Sequence, residues 1–66
     1  MEKQAMKWNS EKQAYFGVTS DGQTIRVEGD EYLENEQDGV PAEELNDPDV
    51  WAMCLGANQN VEIVKK

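Results

Sequence analysis

The 66-residue chain has no histidine and a single cysteine, Cys54. Without histidine it lacks the side chain most often used as a general base and the one most often found on a metal. One thiol cannot form an internal disulfide, and small secreted domains usually depend on disulfides, so a cytoplasmic setting is expected (host cytoplasm if the gene is phage-borne). Cys54 lies in the apolar run WAMCL with no partner base of the usual kind, so its expected role is that of a small buried hydrophobe. Zinc needs several Cys or His ligands and is excluded. No apolar run is long enough to span a bilayer. The opening MEKQAMKWNSEK mixes both charge signs without an apolar centre, which is unlike a signal peptide. The glycines fall in neither G-x-x-x-x-G-K-[ST] nor G-x-G-x-x-G, so no phosphate-cradling loop is present. A chain this short cannot readily enclose a substrate pocket of roughly 300–1,000 Å³. The expectation is one small acidic domain, residues 1–66, that is not an enzyme and carries no cofactor.

Positive charge is also scarce. Six Lys and Arg stand against fourteen Asp and Glu, giving a formal net charge of −8. That balance argues against direct contact with nucleic acid or anionic membranes, where Lys and Arg must neutralise phosphates. It favours a basic partner, or serves solubility alone.

What is present is patterned. QAYFGVTSDGQTIRVEGD places two β-rich runs around Asp21-Gly22, a preferred pair for a tight hairpin turn. With those two residues as the loop, Val18 faces Ile25 and Phe16 faces Val27. Phe16, Val18, Ile25 and Val27 then share an apolar face, and Tyr15, Thr19, Thr24 and Arg26 share a polar one. Upstream, Met6 and Trp8 alternate with Lys7, and Asn9-Ser10 can turn the chain, so a first strand can join the hairpin. Asp47, Pro48 and Asp49 form a helix start: an N-cap acceptor, a residue suited to the first helical position, and an acid at the positive end of the dipole. Val50, Trp51, Cys54 and Leu55 fall on one face of that helix, and Gly56 can close it. A strand over the same run, looped back through GANQN, is the alternative. A second helix start lies at Val40-Pro41, and Pro48 must end the element that follows. NVEIVKK alternates as a strand. The expected fold is α+β: a small antiparallel sheet, made from a hairpin over 14–28 and a C-terminal strand over 61–65, packed against one short helix near 48–55.

The acids are segregated. Residues 28–49, EGDEYLENEQDGVPAEELNDPD, hold ten of the fourteen carboxylates, and all six bases lie outside. Soluble surfaces ordinarily intersperse the two signs, and blocks of one sign repel themselves. The stretch does not fit the twelve-residue calcium loop: from Asp30 the sixth position is Asn35 instead of Gly, and from Asp38 the third is Val40. If it were helical throughout, 22 residues would span roughly 33 Å. That is about one charge per 3.3 Å, near the ~3.4 Å phosphate spacing of a DNA strand, although Pro41 and Pro48 forbid one continuous helix.

Glu28 ends a strand, Asp47 and Asp49 start a helix, and Glu43 and Glu44 suit the first turn after Pro41. Asp30 to Asp38 keep no structural reason of their own. Trp8, Tyr15, Tyr32 and Trp51 are the aromatics able to anchor a partner. Trp51 is expected in the core. Tyr32 either anchors a partner, if exposed, or pins its segment to the core beside Leu33.

In composition alone, a small single domain with a segregated acidic face and no catalytic apparatus resembles phage- and plasmid-encoded inhibitors, among them nucleic-acid mimics and some anti-CRISPR proteins. The expectation is an acidic inhibitor or regulator that occludes a basic, nucleic-acid-binding site on a partner protein. Asp30, Glu31, Tyr32, Glu34, Glu36, Asp38, Glu43 and Glu44 are its candidate contact residues. The alternatives are a small structural or adaptor subunit whose acids serve solubility, and a weak divalent-cation binder.

Overall fold

A computed structural model describes residues 2–53 and 60–64. Four strands, β1 (Gln4–Asn9), β2 (Ala14–Val18), β3 (Thr24–Glu28) and β4 (Val61–Val64), pair in sequence order as one antiparallel sheet. Three helices, α1 (Gly29–Gln37), α2 (Ala42–Leu45) and α3 (Pro48–Ala52), lie in the connection from β3 to β4. The result is the small α+β architecture expected from the sequence; α2 and α3 follow the two helix starts read there, and α1 is additional. Cys54, Leu55, Gly56 and the GANQN loop up to Gln59 lie outside the described residues, as does Lys65 at the end of the predicted last strand.

The hairpin forms, but one residue out of the expected register. Val18 faces Thr24, Gly17 faces Ile25, Phe16 faces Arg26 and Tyr15 faces Val27. The loop is three residues, 20–22, not two. The Gly22 amide donates to the Thr19 carbonyl at 3.0 Å, the Thr19 amide donates to the Gln23 carbonyl at 2.8 Å, and Gly22 has φ +90°. This is the three-residue hairpin in which the last loop residue must be left-handed, and glycine supplies that without strain. Because side chains alternate along a strand, a slip of one exchanges the two faces. Tyr15 therefore joins Ile25 and Val27 on the helix-covered side. Phe16 and Val18, expected beside them, turn to the open side with Thr24 and Arg26.

The core lies between the sheet and the helices. Met6, Ile25, Val27, Tyr32, Leu45, Trp51 and Val61 form one buried cluster. Each large aliphatic side chain taken fully out of water contributes about 1.5–3 kcal/mol before entropy is counted. β1 enters this core through an irregularity between Gln4 and Lys7. There the Met6 amide leaves the ladder and donates to the Asn46 carbonyl at the end of α2, 3.0 Å away. Gly17 allows the approach. A Cβ there would collide with the Met6 sulfur and lie 3.2 Å from the Pro48 Cβ.

Local signals explain two of the helices. Asp47 caps α3, its Oδ1 accepting from the Asp49 amide at 2.9 Å, with Pro48 in the first turn. Asp49 Oδ1 also accepts from the Ser20 amide at 3.0 Å, tying the hairpin tip to α3. That bond holds the Asp49 carboxyl below the usual range. α2 is a single turn after Pro41, ended at Asn46 before Pro48. The third helix was not expected. α1 has no side-chain cap at its start, but Glu, Leu and Gln are strong helix formers. Its end is well determined. The Gly39 amide donates to the Glu36 carbonyl at 3.2 Å and the Val40 amide to the Asn35 carbonyl at 3.1 Å, with Gly39 at φ +90°. These two bonds define a Schellman termination, and Val40 packs against the core beyond it.

Candidate protein-binding surface

α1 puts the densest acids on a surface. Its inward face is Glu31, Tyr32 and Asn35. Tyr32 is 8% exposed, and its hydroxyl donates to Asn46 Oδ1 at 3.0 Å. Burial, then the neighbouring Tyr15 and Glu36, pushes the Tyr32 hydroxyl to a higher pKa, so it stays a proton donor. Glu31, also 8% exposed, accepts from the side-chain amides of Asn35 at 2.8 Å and Asn60 at 3.4 Å. Two of the eight candidate residues thus belong to the packing of the helix. The anchor role of Tyr32 depended on exposure, which it lacks.

The other six, Asp30, Glu34, Glu36, Asp38, Glu43 and Glu44, are all exposed. Among the described residues none of them is in an ion pair: Lys3 pairs with Asp47 at 3.3 Å, and Arg26 with Glu28 and, at 3.5 Å, Glu62. The six sit on α1, its terminating turn and α2, which pack against each other. Along α1 and its C-cap residue Asp38, Asp30 and Glu34, and Glu34 and Asp38, are four residues apart. Like charges at that spacing cost roughly 0.2–0.5 kcal/mol per pair. Glu34, Glu36 and Asp38 also crowd the negative end of the helix dipole, where acids are unfavourable, and no base occupies the last turn. The acidic face is maintained against local stability.

Its shape differs from an extended strand of phosphates. α1 spans only about 13 Å at 1.5 Å per residue, and the whole molecule measures 30 × 24 × 22 Å. The acidic stretch is folded into three short helices and presents a compact patch. Among the described residues no three His, Cys, Asp or Glu side chains converge to hold a metal ion, and no helix is long and apolar enough to cross a membrane.

The two tryptophans and two tyrosines form one continuous run. Trp8 lies 5.1 Å from Tyr15 in a tilted arrangement, Tyr15 stacks on Tyr32 at 3.8 Å and 13°, and Tyr32 lies 6.2 Å from Trp51. The inner end is fixed: Trp51 Nε1 donates to the Leu45 carbonyl at 2.7 Å. Trp51 is thus a core residue, as expected. The outer end, Trp8, is 47% exposed and packs over Gly29 at the start of α1, where an added Cβ would lie 3.0 Å from the indole. Trp8, Tyr15 and Leu33 (48% exposed) line an open groove of about 700 Å³, together with Glu28, Gly29 and Asp30. Sequence reasoning could not assemble this groove. It depends on the true hairpin register, which turns Tyr15 inward, and on α1, which delivers Leu33 and Asp30.

Fold and surface together define a small α+β domain with an acidic helical face, whose six exposed carboxylates have no ion pair among the described residues, beside an aromatic groove. No protein-family model matches the chain, and no curated protein or solved structure matches it.

Proposed function

We propose that the protein is a non-enzymatic inhibitor or regulator that occludes a basic, nucleic-acid-binding site on a partner protein by stoichiometric binding. The observation that carries this is the acidic face: six exposed carboxylates on α1, its terminating turn and α2, without a cation partner among the described residues. A surface kept at a cost to helix stability favours a use for it. Its potential would steer a Lys/Arg-lined site into encounter and oppose acidic partners. Capture from lysate tests this with the wild type and a Glu34→Gln/Glu36→Gln/Asp38→Asn variant, which leaves the inward Glu31 untouched. The expected result is a basic partner whose retention falls with salt and is lost in the variant. A partner retained equally by both would overturn the proposal.

One observation favours an adaptor role instead. The sheet face away from the helices carries half-buried Phe16, Val18 and Val64, a surface through which a subunit could dock. That reading predicts a partner insensitive both to salt and to the triple variant.

A further inference from the structure

We propose that the groove between Trp8, Tyr15 and Leu33 receives an arginine side chain of the partner, with its guanidinium laid on the Trp8 indole and its charge facing Asp30. The inference rests on the basic partner proposed above and names the residue that partner inserts.

Two observations select a basic occupant, and a third how it is presented. The lining is mixed: two aromatic rings and an exposed leucine form the walls, Glu28 and Asp30 stand among them, and no Lys or Arg lines the groove. An apolar occupant would strand the carboxylates, and an acidic one would face them. Glu28 is already paired with Arg26, so Asp30, exposed and without an ion pair among the described residues, is the carboxylate left for an incoming charge. The groove is open and larger than one side chain, which suits a residue presented on a loop or peptide better than an enclosed small molecule.

Arginine fits these walls better than lysine. Its flat, weakly hydrated guanidinium stacks on an aromatic face while keeping edge N–H groups for a carboxylate, whereas an ammonium is a compact, strongly hydrated charge. The exposed Trp8 offers such a face. Tyr15 is stacked on Tyr32 and acts as the rigid floor beneath. Rigid aromatics backed by the core bind at low entropic cost, a property shared by interface hot spots.

NMR titration tests the proposal with three capped hexapeptides that differ only at two positions: Ac-GRGLRG-NH2 and its lysine and citrulline counterparts. The indole Nε1–H of Trp8 reports the groove. That of Trp51, bonded to the Leu45 carbonyl, is an internal control for folding in every variant. The arginine peptide should move the Trp8 signal and leave Trp51 still. The lysine peptide should bind there at least threefold more weakly, and the uncharged citrulline peptide should not bind there. Asp30→Asn should weaken the arginine peptide up to about fivefold, the upper range for one solvent-exposed ion pair, and Leu33→Ala should weaken it without changing the salt dependence.

Equal affinities for arginine and lysine peptides, with shifts confined to the outer face of α1, would overturn the groove proposal and leave the acidic-face reading standing. Citrulline binding as well as arginine would overturn it by making the occupant's charge irrelevant. No shift anywhere with either basic peptide would overturn both.

Discussion

Reversing one charge on α1 should stabilise this protein. Glu34 stands four residues from Asp30 on one side and from Asp38 on the other, in the last turns of a helix with no basic residue at its end. In Glu34→Lys both repulsive pairs become attractive. Each pair contributes roughly 0.2–0.5 kcal/mol of either sign, so the two together swing by about 1–2 kcal/mol, reduced because Lys before Asp is the weaker orientation. A cation near the helix C-terminus adds about 0.3–1 kcal/mol. The expected gain is about 1–2 kcal/mol. For a 66-residue domain that corresponds to roughly 7–14 °C in Tm. Thermal unfolding followed by circular dichroism at low salt would show it, and 0.5 M salt should remove most of it, since surface charges are screened beyond a few ångströms there. A variant that is less stable at every salt concentration would refute the reasoning: Glu34 would then have a favourable partner, and the acidic face would carry no local cost.

Three further outcomes follow from the packing and the titrating groups. Gly17→Ala should lose about 1–3 kcal/mol from forced displacement of Met6 and Pro48, measurable by urea unfolding. Tyr32→Phe should lose about 1 kcal/mol at neutral pH with the hydroxyl's bond to Asn46. The folded-state pKa of Tyr32 is raised, so its contribution is complete below about pH 10 and is lost as pH rises from there toward the folded value. The gap between wild type and Tyr32→Phe should therefore close in alkaline titrations. The folded-state pKa of Asp49 is lowered, so its contribution is present above about pH 4 and is lost as pH falls toward the folded value. Asp49→Asn should flatten that part of the acid-unfolding curve.

The parts legible in the sequence are those set by short-range chemistry. Asp47-Pro48-Asp49 announces α3 because cap, proline and dipole act within one turn. The strands of the hairpin are announced by their β-branched and aromatic residues. The register was not legible, because Asp21-Gly22 suits a two-residue loop by composition while Gly22 serves as the left-handed residue of a three-residue loop. Both registers give a plausible apolar face, since β2 carries apolar side chains on both sides, Tyr15 inward and Phe16 and Val18 outward. α1 is not legible in the sequence because it has no capping side chain and few apolar residues to show a period. Its one clear mark was Gly39-Val40, the terminating glycine followed by an apolar residue. The acids of 28–49 divided correctly where a helix or strand end claimed them, at Glu28, Asp47 and Asp49. Glu31 gave no such sign, because what turns it inward is packing against the side chains of Asn35 and Asn60.

The central claim is that the acidic face occupies a site that otherwise holds nucleic acid. Once a partner is captured, the direct measurement is its nucleic-acid affinity, read by fluorescence anisotropy of a labelled duplex or single strand as this protein is added. The account predicts that the bound nucleic acid is released fully at one molar equivalent, and that the Glu34→Gln/Glu36→Gln/Asp38→Asn variant releases it only at large excess. A ternary complex, in which the partner keeps its nucleic acid while binding this protein, would contradict it.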